Sequence, residues 1–338
     1  MNSYNRRSFI KTTIVSGIAL QLVDSLPALG KPVDGKKVGI IGLDTSHSVA
    51  FAKALNAASP DPVYDGYKVV AAYPQGSKDI ESSVKRIAGY TEDVKKLGVE
   101  ISASIQDLLS KVDVVLLETN DGRLHLEQAL EVFKAGKRMF IDKPVAGTLS
   151  DTIAIFEASK KYNIPVFSAS SLRYIKGIEE IDKTKVLGAD TFSPAVLEKT
   201  HPDFFWYGIH GVETLYTVMG TGCTSVTRVS TPDTDIVVGI WKDGRTGTFR
   251  GTRTGKHDYG GTVFTRDGNK ILGPYAGYEP LLADIIRYFK TGVVPVTQEE
   301  TIEIFAFMEA ADESKRQGGK SVSLESVLSK AKIRKSSK

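Results

Sequence analysis

Apolar residues along the chain keep two different rhythms. In the first half they come as short, nearly continuous runs. Lys37-Val38-Gly39-Ile40-Ile41-Gly42 reads as a buried strand ending in glycine, and similar runs recur over about 67–73, 112–118, 138–141 and 164–168. Such runs suit strands covered on both faces, as in a parallel sheet. Helical spacing separates them over about 45–57, 124–133 and 149–162, and Gly136 stands where a left-handed C-terminal residue is wanted. Strands alternating with helices predict an α/β fold with a doubly wound parallel sheet over 36–171.

After about Leu172 the rhythm changes to hairpins. A run at 235–241 enters Asp243-Gly244 and leaves at 246–253. Another at 262–266 enters Asp267-Gly268 and leaves at 270–272. Asp-Gly between strand runs is a strong hairpin signal. The second domain, 172–325, is therefore expected to be α+β with a mostly antiparallel, open sheet. Thr297 and Glu300 have capping-box spacing, and Ile304, Met308 and Ala311 follow at helical spacing, which predicts a helix over about 298–317. The Lys/Ser-rich tail, 329–338, is expected to fray.

The first thirty residues stand apart. Asn5-Arg6-Arg7-Ser8-Phe9-Ile10-Lys11 precedes an apolar stretch that closes at Pro27-Ala28-Leu29-Gly30. The stretch is well short of the ~20 residues that span a bilayer. Paired arginines before Ser-Phe-Ile-Lys resemble a twin-arginine export signal, so 1–30 is expected to be a signal peptide and the mature chain periplasmic.

Composition narrows the classes. With 41% hydrophobic and 25% charged residues the chain is neither disordered nor membrane-embedded, and a net charge of +4 without a basic stripe gives no nucleic-acid partner. One cysteine, Cys223, allows no disulfide framework, and the five histidines show no HExxH spacing. Asp44, His47, Glu118 and Asp121 fall near carboxyl ends of strands and are metal-binding types. No tight spacing joins them, so no metal site is expected.

Gly42 after the first strand, then Thr119-Asn120 with His125, Ala135-Gly136-Lys137 and Asp142-Lys143-Pro144, in that order, resemble the Gfo/Idh/MocA oxidoreductases. Gly292, Pro295-Val296, Glu299, Ala310-Ala311, Ser314 and Gly318 resemble the family's closing segment. The resemblance runs from about 36 to 325. It implies an NAD or NADP cofactor held near Gly42, Thr119, Asn120 and Asp142. It also implies a lysine, Lys143, beside the nicotinamide, where its charge stabilises a developing alkoxide. His210 matches the family's catalytic histidine and would be the general base. Trp206 stands where the family has that histidine's aspartate; Asp203 or Glu213 could substitute. Arg173 and Tyr174 follow the last strand of the first domain, where the family directs a side chain at the substrate.

The chain departs from the family's GxGxxG loop. Gly42-Leu43-Asp44-Thr45-Ser46-His47 keeps only the first glycine. Asp44 reads either as a helix N-cap or as a charge facing the phosphates. Thr45 and Ser46 hydroxyls, with the helix amides, would hold those phosphates. The second strand ends Tyr73-Pro74-Gln75-Gly76-Ser77-Lys78, without the acid that binds ribose hydroxyls. Gln75 and Ser77 could cradle a 2′-phosphate or form a solvated turn. Trp206 and Tyr207 could stack on a sugar face or pack between domains. Residues 256–259 could line the pocket or form a polar loop.

Two functions follow. The first is an NAD(P)-dependent oxidoreductase acting on a sugar, polyol or glycoside, with a retained, internally recycled cofactor. The second is a non-redox carbohydrate-binding or partner subunit that has lost the cofactor. An open sheet face implies a homo-oligomer.

Overall fold

The structure, a computed structural model, describes residues 35–336. The leader's paired arginines and its exit at Gly30 lie outside the described residues. The first sheet holds β1 (Lys37–Ile41), β2 (Lys68–Tyr73), β3 (Glu100–Ile101), β4 (Val114–Leu117), β5 (Arg138–Ile141) and β6 (Val166–Ser168), all parallel, in the order β3-β2-β1-β4-β5-β6. Helices α1 (Ser46–Leu55), α2 (Glu81–Lys96), α3 (Ile105–Leu109), α4 (His125–Lys134) and α5 (Leu149–Tyr162) connect them. The order reverses between β1 and β4, and crevices at such switch points bind ligands.

The second sheet holds β7 (Val186–Pro194), β8 (Cys223–Ser230), β9 (Thr234–Trp241), β10 (Thr246–Thr252), β11 (Gly260–Thr265), β12 (Gly268–Leu272) and β13 (Val322–Ser323). Its order is β12-β11-β7-β10-β9-β8-β13. Both Asp-Gly hairpins form, and every pairing is antiparallel except β7 with β10. Helix α6 (Ile209–Met219) lies on this sheet and is buried on every side. Gly211 permits the approach: a Cβ there would stand 2.3 Å from the Phe249 ring.

Two helices bind the halves together. The spacing Leu281, Leu282, Ile285, Ile286, Phe289 forms the apolar face of α7 (Glu279–Thr291), which sequence reading passed over. That face packs back on the first sheet, among Val38, Ile40, Phe140 and Phe167. Each such side chain, fully buried, contributes about 1.5–3 kcal/mol. The Tyr288 hydroxyl donates to the Met139 carbonyl at 3.2 Å, fixing α7 against β5. Helix α8 (Gln298–Arg316) shares one continuous core with α5, α6 and β8. The cleft between the halves is therefore walled by rigid elements.

The tail departs from expectation. Residues 324–336 form α9 (Leu324–Ser336), not a frayed end. Leu324, Val327 and Ala331 are buried at helical spacing, and the Ser150 hydroxyl donates to the Ala331 carbonyl at 3.1 Å. Lysine and serine dominate the composition, but Leu324, Val327 and Ala331 share one buried face, while Ile333 is exposed.

Gly42 shows why one glycine of the nucleotide loop survives. Its φ is +98°, and a Cβ would lie 2.3 Å from the Thr119 amide nitrogen, so the β4 end presses on it. Gly42→Ala is expected to cost about 2–4 kcal/mol of stability through strain and overpacking. Urea unfolding measures this; an unchanged midpoint would refute the account.

Candidate functional site

The loops after β1, β4 and β5 converge at the switch point. Asp44 organises them. It is fully buried, with Oδ1 accepting from the Asn120 amide at 2.9 Å and Oδ2 from the Ser77 amide at 3.3 Å and the Ser83 hydroxyl. Burial raises its pKa, while the bonds from Ser83, Asn120 and Ser77 pull the other way. Neither sequence reading of Asp44 holds. Three donors, two from other loops and one from the first turn of α2, outbid a single cap bond, and the carboxylate turns inward, away from any phosphate.

The cap position of α1 is Thr45, whose side chain makes no capping bond, and the first turn carries no acid. Its unsatisfied amides open beside Thr45 and Ser46, both in the cleft wall. An uncapped helix N-terminus free of negative charge suits an anion. The Ser46 hydroxyl lies 3.3 Å from that of Tyr278, the residue before α7.

Gln75 and Ser77 do not reach the cleft. Gln75 accepts from the Gln128 amide at 2.9 Å, and Gln128 also donates to the Thr119 hydroxyl at 3.0 Å. The Ser77 hydroxyl donates to Asp79 at 2.7 Å. Gln75 Oε1 and the Ser77 hydroxyl are taken by protein partners, and neither residue lines the cleft. The cleft's far end is instead formed by Ser82, Arg86 and Tyr90 of α2, which sequence reading missed. An exposed arginine in the first turns of a surface helix carries no sequence signal of its own.

At the opposite end stand Asn120, Lys143 and His210. Lys143 Nζ lies 3.9 Å from Asp142 Oδ2, and only 7% of the residue is exposed. Asp142 is completely buried behind the cleft wall, its Oδ2 3.0 Å from Nδ1 of His47, which does line the cleft. Glu118 stands beyond, 3.9 Å from the same nitrogen. Burial and the Asp142 charge push the Glu118 carboxyl well up; for Asp142 burial acts upward too, but His47 and Lys143 hold it down at about 2.

His210 reaches the cleft from the first turn of α6. A widened, π-helical turn, Phe204–Gly208, precedes it and carries Trp206 and Tyr207 into the wall. Tyr207 and Tyr259 stand edge-on to the imidazole at 5.5 and 5.9 Å. Residues 256–258 do not line the cleft wall as Tyr259 does. Burial first, then the Lys143 and His47 charges, push the His210 pKa well below its ordinary value, so the ring is neutral. Its Nδ1 lies 2.6 Å from the Ser170 hydroxyl, which also accepts from the Leu172 amide at 3.1 Å. Ser170 thus takes the orienting place left open by Trp206. Asp203 does not: it pairs with Arg228 and Lys315, both at 2.6 Å. Glu213 acts one step back, accepting from the Ser170 amide at 2.8 Å.

Arg173 and Tyr174 leave the cleft, contrary to expectation. Arg173 sits between Glu213 at 3.7 Å and Glu300, clamping α6 to α8. The Tyr174 hydroxyl donates to Asp284 of α7 at 2.6 Å. A buried guanidinium needs carboxylate partners, and the interface supplies two. Asp121 serves a similar link: Arg123 and His201 hold it, the latter at 3.3 Å from the second half. His125 is structural: Nε2 lies 2.6 Å from the Thr119 carbonyl and Nδ1 3.3 Å from that of Val145, and the ring, held neutral by burial, donates to one of the two.

Residues 36–170 match the family model described as an oxidoreductase family with an NAD-binding Rossmann fold. Over 86 residues the chain is 27% identical to an uncharacterized oxidoreductase of Streptococcus pneumoniae, a match spanning 23% of that protein's length. Myo-inositol 2-dehydrogenase of Lactobacillus plantarum superposes with a TM-score of 0.69 at 17% identity, covering 87% of this chain and 99% of that one. Myo-inositol dehydrogenase of Lactobacillus casei, in complex with NAD(H) and myo-inositol, gives 0.68 at 16% identity, covering 85% and 96%. These likenesses establish a shared two-domain fold.

The Arg173 clamp carries a pH dependence. Burial raises the Glu213 pKa to about 7, with Arg173 and the Ser170 amide opposing. A raised folded-state value stabilises below the unfolded pKa, and the contribution is lost as pH rises through about 7. Between pH 5 and 8, wild type should lose on the order of 1–3 kcal/mol that Glu213→Gln does not. Parallel denaturation curves of the two proteins across that range would contradict this.

Proposed function

Through residues 36–170 the chain belongs to the Gfo/Idh/MocA oxidoreductase family, and from that membership we propose that it is an NAD(P)-dependent oxidoreductase acting on a polyol, sugar or glycoside. One observation carries the reading: Lys143 from the first sheet and His210 from the second half line one cleft, beside an uncapped helix N-terminus.

The residues present fit a dinucleotide. The amides of α1 with Thr45 and Ser46 would hold its phosphates, and Ser82, Arg86 and Tyr90 would meet the adenosine end. Asn120 and Lys143 would stand at the reacting end. When bound, the nicotinamide would supply the hydride acceptor. Lys143 would stabilise the oxygen that gains charge as the substrate hydroxyl loses its proton. His210, neutral and held through Nδ1, would take that proton at Nε2 when Nδ1–H donates to Ser170. Trp206, Tyr207, Tyr259 and Tyr275 give an aromatic wall suited to the C–H faces of a ring polyol. Arg86 on this reading favours NADP. The leader supports export of the folded chain to the periplasm with its cofactor already bound, and hence internal recycling.

The second reading, a non-redox binding subunit, draws on Asp44 and His47, which replace the loop's second and third glycines. One experiment separates them: denature freshly purified protein and identify any released dinucleotide, then follow reduction of bound cofactor by inositols, sugars and glycosides. Lys143→Ala should slow that reduction ~10²–10³-fold and His210→Ala ~10²–10⁴-fold. Reduction at the wild-type rate by Lys143→Ala would defeat the assignment. Arg86→Ala should weaken NADP binding roughly ten-fold or more, and NAD binding less. Calorimetry that finds equal losses for both would remove the 2′-phosphate role.

A further inference from the structure

Three side chains from three strand ends meet beneath Lys143, and the polar atoms they turn on one another lack well-aligned hydrogen bonds. His47 follows β1, Glu118 follows β4 and Asp142 follows β5. One donor atom of each lies within 4.8 Å of the other two, and all three residues are buried. Both oxygens of Glu118, both of Asp142 and Nδ1 of His47 lack a properly aligned hydrogen-bond donor or acceptor. A fully buried carboxylate without a hydrogen bond is costly, and two side by side more so. Asp44, a few residues away, shows how this chain ordinarily settles such a group, with three donors. Around Glu118 no such donors are supplied.

We propose that His47, Glu118 and Asp142 form a binding site for one divalent first-row transition ion. The spacing fits: Nδ1 of His47 is 3.0 Å from Asp142 and 3.9 Å from Glu118, separations that adjacent ligands around one ion adopt when bonds are about 2.0–2.2 Å. One imidazole with two carboxylates suits Zn²⁺, Mn²⁺ or Fe²⁺ rather than Ca²⁺, which takes six to eight oxygens. The two carboxylates neutralise the ion. Lys143, 3.9 Å from Asp142, stands outside the ligand set on the cleft side. Three protein ligands leave the coordination open, as in sites that exchange water for a ligand. His47 and Lys143 both line the cleft, so the open side faces it. Tyr278 packs edge-on to the His47 ring at 4.6 Å and fixes its orientation.

The site is independent of the redox reading, and so is its test. The full chain is stripped with a chelator and dialysed in turn against Zn²⁺, Mn²⁺ and Co²⁺, with no dinucleotide present. Elemental analysis should find one equivalent per chain for at least one ion, and Co²⁺ should add visible absorption. Metal should raise the melting temperature of wild type, because it binds the folded state alone. Glu118→Gln keeps the shape and removes a buried unpaired charge, so it should fold, yet bind metal at least about ten-fold more weakly and lose the thermal shift. His47→Gln should do the same and serves as the second variant. Wild type that takes up none of the three ions overturns the site, as does uptake unchanged in both variants. Dinucleotide binding by the stripped chain is measured separately, so either reading can fail alone.

Discussion

Asp44 has no exposed surface, and its carboxylate holds the amides of Asn120 and Ser77 and the hydroxyl of Ser83. Those donors belong to the loops after β4 and β2 and to the first turn of α2, so one side chain ties three strand ends into a fixed platform. In a parallel sheet the carboxyl ends are where backbone leaves the ladder and amides lose their partners. A neutral residue at 44 could satisfy at most part of that set. Glycine, which the family places there, would leave the loops to a bound ligand for organisation. Here the protein organises them itself, and the wall at Thr45, Ser46 and Asn120 is preformed.

Charge adds to apolar area in holding the second half together and against that platform. Arg173 stands between Glu213 and Glu300 and ties α6 to α8, while Asp121, held by Arg123 of its own loop, meets His201 of the second half. Breaking such buried pairs costs several kcal/mol because a lone charge remains. The consequence for the site is positional. Glu213 fixes the Ser170 amide, Ser170 fixes the His210 ring, and the ring faces Lys143. A histidine without the usual aspartate thus keeps its aim through a hydroxyl, which orients without adding charge. That fits the depressed His210 pKa, since the Asp142 charge is the one influence that opposes burial and it is the weakest.

Local pattern made the fold legible. The continuous apolar runs gave the parallel strands, and Asp243-Gly244 and Asp267-Gly268 gave the hairpins at their observed places. Helix α7 was equally visible in its spacing, yet its return to the first sheet was not, because which face it covers is a tertiary choice. The cleft residues divide the same way. Lys143 and His210 sit in motifs, and both line the cleft. Arg173, Tyr174, Gln75 and Ser77 also sit near motifs, but their polar atoms are taken by Glu300, Asp284, Gln128 and Asp79, which no spacing announces. His47 and Glu118 were readable as metal-binding types near strand ends, but their meeting with Asp142 was not, for a geometric reason: neighbouring parallel strands are joined by long crossovers, so adjacent strand ends are far apart in sequence.

The charges at this switch point follow one rule, and it bears on chemistry. Carboxylates that meet backbone amides or guanidinium groups, as at Asp44 and Asp121, build structure. Those at Glu118 and Asp142 meet only a histidine, a lysine and each other. Lys143 owes its place in the cleft to Asp142 behind it, because an ammonium that is mostly buried needs an opposite charge within reach. Neutralising Asp142 would therefore release the lysine that the cleft depends on. The acid beside the lysine acts from behind the wall, setting where the positive charge stands, while Lys143 and His210 line the cleft itself.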